Sequence, residues 1–229
     1  MNDLADQLRA IEAELDAGRY HPGAWERFVR LVGRRPRSER LALAADISRV
    51  SCKLHTRNGL RTVSPATGCA LELLATAVGA AGLAVGLARG WNVAALAAAA
   101  IWVTTFEPLV KLGTGMLLGV RYEYAYLRGV EPRFKMRYGT YLAAPRWRRV
   151  LVHLSGTVGS PLAAWLVATL TRPRLPVACR ICVAAFWATV LLNAAFLCAA
   201  LIGLRRIGRL RLSTTSGGAA GLELRDWRT

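Results

Sequence analysis

The stretch that decides the fold is Val177 to Leu204, VACRICVAAFWATVLLNAAFLCAALIGL, in which Arg180 is the only ionisable side chain. A helix needs about 20 apolar residues to cross the ~30 Å hydrocarbon core of a bilayer, so this run is long enough to span one. Three further runs share its character. Ala66 to Ala88 contains only Glu72, Trp91 to Leu118 only Glu107 and Lys111, and Val150 to Leu170 only His153. A soluble domain of 229 residues spreads its charges along the chain, whereas here apolar runs alternate with arginine-rich blocks. The reading is an all-α, polytopic helical membrane protein with four spans, at about 66–88, 91–118, 150–170 and 177–204. A helical cytoplasmic region precedes them over 1–64, and a basic, flexible tail over 205–229 follows.

The formal net charge of +17 invites a nucleic-acid reading, and its distribution argues against one. Residues 1–65 hold 12 basic and 8 acidic side chains, and the connection 119–149 holds 8 basic and 2 acidic. The tail from Arg205 holds 6 basic and 2 acidic, while the connection between the first two spans carries Arg89 alone. Basic residues favour the cytoplasmic side of a membrane. The asymmetry places both terminal regions and the basic loop 119–149 in the cytoplasm. Basic flanks beside spans attract anionic headgroups at roughly 1 kcal/mol each. The expected partners are therefore membrane lipids with anionic headgroups and other membrane-protein subunits, not nucleic acid.

In the N-terminal region Leu4, Leu8, Ile11 and Leu15 recur at helical spacing, as do Leu43, Ile47, Val50 and Leu54 in a later helix. Trp25, Phe28, Val29 and Val32 mark a helix between them. Arg49, Lys53 and Arg57 form a second face on the later helix. That face either lies on the bilayer among headgroups or packs against its own bundle. Arg146, Arg148 and Arg149, just before the third span, are read as headgroup contacts.

Small residues punctuate the spans: Gly82 and Gly86 in the first, Gly115 and Gly119 closing the second, Gly156 and Gly159 in the third. In lipid, helix association depends on close packing, so these six are read as packing positions. From Trp91 to Leu118 is 28 residues, about 42 Å as a straight helix, so a tilt or a break at Pro108 is expected.

Charges inside a membrane point to function. Glu107 and Lys111 stand at i, i+4, the orientation that favours an ion pair. They read either as an internal salt bridge or as a polar site for an ion or headgroup. Glu72 and His153 are the other polar positions within or at the entrance to a span. Cys179 and Cys182 have redox or metal spacing without a second pair, and structural zinc takes four ligands, so packing is the better reading. The three histidines are scattered with no HExxH; a lipase-type GxSxG, a P-loop and a dinucleotide fingerprint are missing too. No catalytic residue, metal site or cofactor is expected.

Thr105 to Val120, TFEPLVKLGTGMLLGV, and Ser155 to Ala164, SGTVGSPLAA, together resemble the core of site-2-protease-type intramembrane metalloproteases. Those proteins carry a histidine pair at i, i+4 on one span and a Gly-Pro-rich stretch on a later one. The resemblance covers roughly a quarter of the chain. It puts Glu107 and Lys111 at zinc-ligand positions, and neither is histidine; no third-ligand Asp-Gly follows. It implies a pseudoenzyme in which an ion pair replaces the metal. Two functional classes fit these observations: a non-enzymatic scaffold or accessory subunit of a membrane assembly, and a small transporter or intramembrane enzyme using the same polar residues.

Overall fold

The computed structural model describes residues 2–21, 23–57, 59, 61–128, 131–208 and 210–228, without the side chains of 2, 128, 131–132 and 226–228. Four helices are long and apolar enough to cross a membrane: α5 (Pro65–Arg89), α6 (Asn92–Leu117), α8 (Arg146–Thr171) and α9 (Pro176–Leu201). Ser64 caps α5 by accepting from the Thr67 N–H, with Pro65 in the first turn. The helices α6 and α8 run on through Pro108 and Pro161. The third span begins four residues earlier than expected because Pro145 opens it and the arginines that follow lie in its first turn.

Outward faces of these helices are bare of protein. On α9, Trp187, Leu191 and Leu192 are exposed, Leu191 to 65%. In water so large an apolar surface is an association hazard; in hydrocarbon it is the normal lipid-facing surface.

Residues before α5 fold as short helices: α1 (Asn2–Asp16), α2 (Ala24–Gly33), α3 (Arg37–Ala42) and α4 (Ala44–Thr56). Their apolar stripes meet as the periodicity requires: Leu4, Leu8, Ile11, Phe28, Val32, Ile47 and Val50 share one core. That core also takes in Val120, Tyr141, Leu142 and Val152, from the segment between α6 and α8 and from α8 itself. The segment 119–149, expected as a basic loop, is folded: β2 (Tyr122–Arg128) and β3 (Glu131–Met136) pair antiparallel, and β1 (Thr62–Val63) adds to β2. The short helix α7 (Tyr138–Ala143) follows, seated on α4 where Gly139 meets the Ala44 carbonyl so closely that a Cβ would collide. The all-α reading therefore holds for the bulk of the chain and misses this sheet, together with a two-stranded ribbon of β4 (Arg206–Ile207) and β5 (Leu210–Arg211).

The tail is the larger correction. Instead of a flexible end, Ser216–Arg228 forms α10, packed against α8 and α9. Ser216, Ala219 and Ala220 are buried, Ala220 completely. Gly217 and Gly221 bring its backbone against the carbonyls of Asn193 and Leu197, within the fourth span. No side chain larger than hydrogen fits at either point.

Candidate functional site

A polar cluster lies where α6, α8 and α10 meet. Gly159 allows α8 to approach the backbone of Glu107, where a Cβ would lie 2.6 Å from the Glu107 Cα. One α-helical turn away, Gly156 leaves room for the Ser216 hydroxyl; a Cβ there would sit 2.4 Å from it. Ser216 Oγ donates to Glu107 Oε1 at 2.6 Å and accepts from Lys111 Nζ at 3.4 Å. Ser160 Oγ donates to the Val103 carbonyl at 2.9 Å and lies 3.5 Å from Glu107 Oε2. A hydroxyl thus bridges the carboxylate and the ammonium, which are on one α6 face at i, i+4. Tyr122 seals the cluster from the sheet side, donating to the Lys111 carbonyl at 3.0 Å with its ring edge against Gly115.

A second polar group continues toward α7. Tyr141 OH donates to Glu223 Oε1 at 2.5 Å and lies 2.8 Å from His153 Nε2. With its single proton given to Glu223, the hydroxyl accepts from a Nε2-protonated His153. Burial, then the Glu223 carboxylate, pushes Tyr141 well above its ordinary ionisation range, so it stays protonated and donates. Arg149 is buried to 5% exposure, pairs with Glu223 at 3.4 Å, and lies over the Tyr141 ring.

The sequence expectations sort clearly against this geometry. Glu107 and Lys111 come together, with Ser216 between them. His153, in the second turn of α8, joins the neighbouring group. Glu72 is buried on α5, on the face of Thr76, whose hydroxyl meets Thr105 at 3.1 Å. Arg149 is turned inward, where it pairs with Glu223. Arg148 caps the Leu118 carbonyl at 3.3 Å and stacks on Trp147, while Arg146 remains half-buried at the rim. Arg49 and Lys53 are both engaged in ion pairs. Arg49 holds Glu12 at 2.9 Å and Asp46 at 2.6 Å; Lys53 holds Glu12 at 2.8 Å and Asp16 at 2.9 Å. Their charge fastens α1 to α4, which is the packed-bundle alternative. Arg57 is exposed with no ion pair among the described residues.

Of the glycines, Gly86, Gly115, Gly156 and Gly159 sit at close approaches, and Gly82 makes only ordinary contact with Ala98. Gly119 is a turn residue, not a packing one: its φ of 81° ends α6 in the left-handed region. Cys182 packs in the core formed by α5, α6, α8 and α9, and Cys179 is half-buried; both are free thiols.

Ser216, Glu223 and Tyr141 escaped the sequence reading. Their signal was there: Ser216-Gly-Gly-Ala-Ala-Gly221 has the small-residue character that marked packing positions inside the spans. Compared with known proteins, the chain matches no family model, no curated protein and no solved structure.

Proposed function

We propose that this chain is a non-enzymatic integral membrane protein, a scaffold or accessory subunit of a larger membrane assembly in contact with anionic lipid. In this reading its core is metalloprotease-like and its intramembrane site is filled by its own C-terminal helix. The observation that carries the reading is the Ser216 bridge between Glu107 and Lys111. Zinc requires three or four lone-pair donors around one point. At the positions where the resemblance puts ligands stand one carboxylate and one ammonium, and the ammonium has no lone pair to give. The residues do not fit the metal, and no hydrolytic step follows from them.

Both terminal regions and the segment 119–149 lie on the cytoplasmic side in this reading. Basic charge supports it, and so does packing. The core shared by Leu8, Ile47 and Leu142, and the ion pair of Arg149 with Glu223, support placing these segments on one side of the bilayer.

Metal analysis of the full chain purified in mild detergent tests the non-enzymatic reading. The expected result is no stoichiometric zinc. About one zinc per chain, retained through exchange into metal-free buffer, would overturn the proposal and favour an intramembrane hydrolase.

A further inference from the structure

The start of α8 is electrostatically uncomfortable. Its first turn carries Arg146, Arg148 and Arg149, no acidic residue and no side-chain cap, since Pro145 precedes it. The amino end of a helix already bears about half a positive charge and favours anions. Three cations there are unfavourable unless something negative faces them.

More cations approach from α3. Arg40 donates to the Leu142 carbonyl at 2.5 Å, which places it at the end of α7, directly before α8. Arg37 precedes Arg40 by one turn of α3, and Arg146 follows Leu142 by four residues, which brings guanidinium groups of two elements toward one place. Burial, and then the charges of Arg149, Arg146 and Arg37, accordingly lower the affinity of Arg40 for its proton. Glu223 is the carboxylate that acts on Arg40 in return, and Arg149 engages it at 3.4 Å. The Nε–H groups of Arg40 and Arg149 are buried and find no acceptor among the described residues. Those two groups are enclosed, so an anion would be met by the exposed Arg37 and the half-buried Arg146, where it offsets the unbalanced positive charge.

The location narrows the anion. Arg146 opens a membrane span, and the neighbouring Trp147 is 45% exposed, the placement of an interfacial aromatic. An anion seated here would stand at headgroup depth beside an indole ring able to meet acyl chains. Phosphate, with several acceptor oxygens, suits forked guanidinium donors.

We infer that Arg37, Arg40 and Arg146, backed by Arg149 at the amino end of α8, form a phosphate-binding site that takes the headgroup phosphate of an anionic phospholipid. The site rests on the membrane reading above. It is independent of whether the core binds metal.

The test uses full-length protein in neutral detergent, titrated with mixed micelles containing phosphatidylglycerol or phosphatidylcholine, and separately with inorganic phosphate. The site predicts saturable binding of phosphatidylglycerol and none of phosphatidylcholine. Arg37→Gln with Arg146→Gln should weaken binding on the order of thirty-fold, taking each arginine near the surface at its usual worth. Neither side chain hydrogen-bonds another among the described residues, so the variant should fold, which a thermal melt checks. Arg9→Gln with Arg30→Gln removes the same charge from α1 and α2 and should change binding less than about threefold. Equal weakening by both double variants would show diffuse charge attraction and overturn the site. Binding of inorganic phosphate with no preference for phosphatidylglycerol would overturn the lipid assignment, and zinc content would be unaffected by any of these outcomes.

Discussion

Ser216 holds a position that neither of its partners could fill alone. Glu107 and Lys111 sit on α6, a helix long and apolar enough to cross a membrane, and the hydroxyl between them is supplied from the far end of the chain. A hydrogen bond to a charged group contributes about 1.5–3 kcal/mol, and a buried charge that loses one bears the full cost of the loss. Ser216→Ala should therefore lower detergent stability by about 2 kcal/mol. In a Glu107→Leu background the same substitution should cost little, because the acceptor is gone. Melts of the four variants measure the coupling, and additive losses would mean that the bond contributes nothing. Near α1, Arg49 and Lys53 hold the Glu12 carboxyl at about 2, against an ordinary 4.5. A folded value below the unfolded one adds stability that is complete above about pH 4.5 and is lost as pH falls toward 2. The stability gap between wild type and Glu12→Gln should be open at pH 6 and reduced to roughly a quarter of that at pH 2.5. A gap that does not change with pH would remove the ion pairs as its cause.

At the scale of elements, the sequence made the spans legible and hid the pieces between and after them. Apolar runs longer than twenty residues in a bilayer have one solution, so α5, α6, α8 and α9 fall within a few residues of expectation. The stripes of α1, α2 and α4 were equally plain, since residues spaced three and four apart can meet only on a helix face. The strands β2 and β3 were missed because the segment was read for charge. Tyr122-Glu-Tyr-Ala-Tyr126 alternates with period two, although in the sheet a register shift between Tyr122 and Tyr124 interrupts that period. Helix α10 was missed for a different reason. Glycine costs about 1 kcal/mol in a helix, so a Ser-Gly-Gly-Ala-Ala-Gly opening reads as loose from local preference alone. Packing overrides the preference, because those glycines allow backbone-to-backbone approach along α9. In a solvated helix Gly221→Ala should stabilise by about 1 kcal/mol. Here the new Cβ would lie 2.6 Å from the Leu197 carbonyl oxygen, and the substitution should instead destabilise by about 1–3 kcal/mol. A detergent melt decides the sign.

Across the whole molecule, charge distribution and packing point to the same arrangement. Residues 2–57 and the segment between α6 and α8 build a body from both sides of the chain's first two spans, through a core shared by Leu8, Ile47 and Leu142. The C-terminal helix reaches back into the bundle and completes the polar cluster. The candidate site was half legible in advance: a charge pair inside a span announces itself, whereas a serine beyond the last span does not. The central claim is that four spans enclose a site closed by α10. Single cysteines introduced in a background lacking the native five, and challenged with a membrane-impermeant maleimide, test it most directly. Arg89→Cys should react in intact cells. Arg121→Cys and Arg211→Cys, both at exposed positions, should react only once the membrane is opened, and the fully buried Ala220→Cys should react in neither case. Labelling of Ala220→Cys as fast as Arg211→Cys would show a free tail, and labelling of Arg121→Cys in intact cells would invert the orientation; either result would contradict the account.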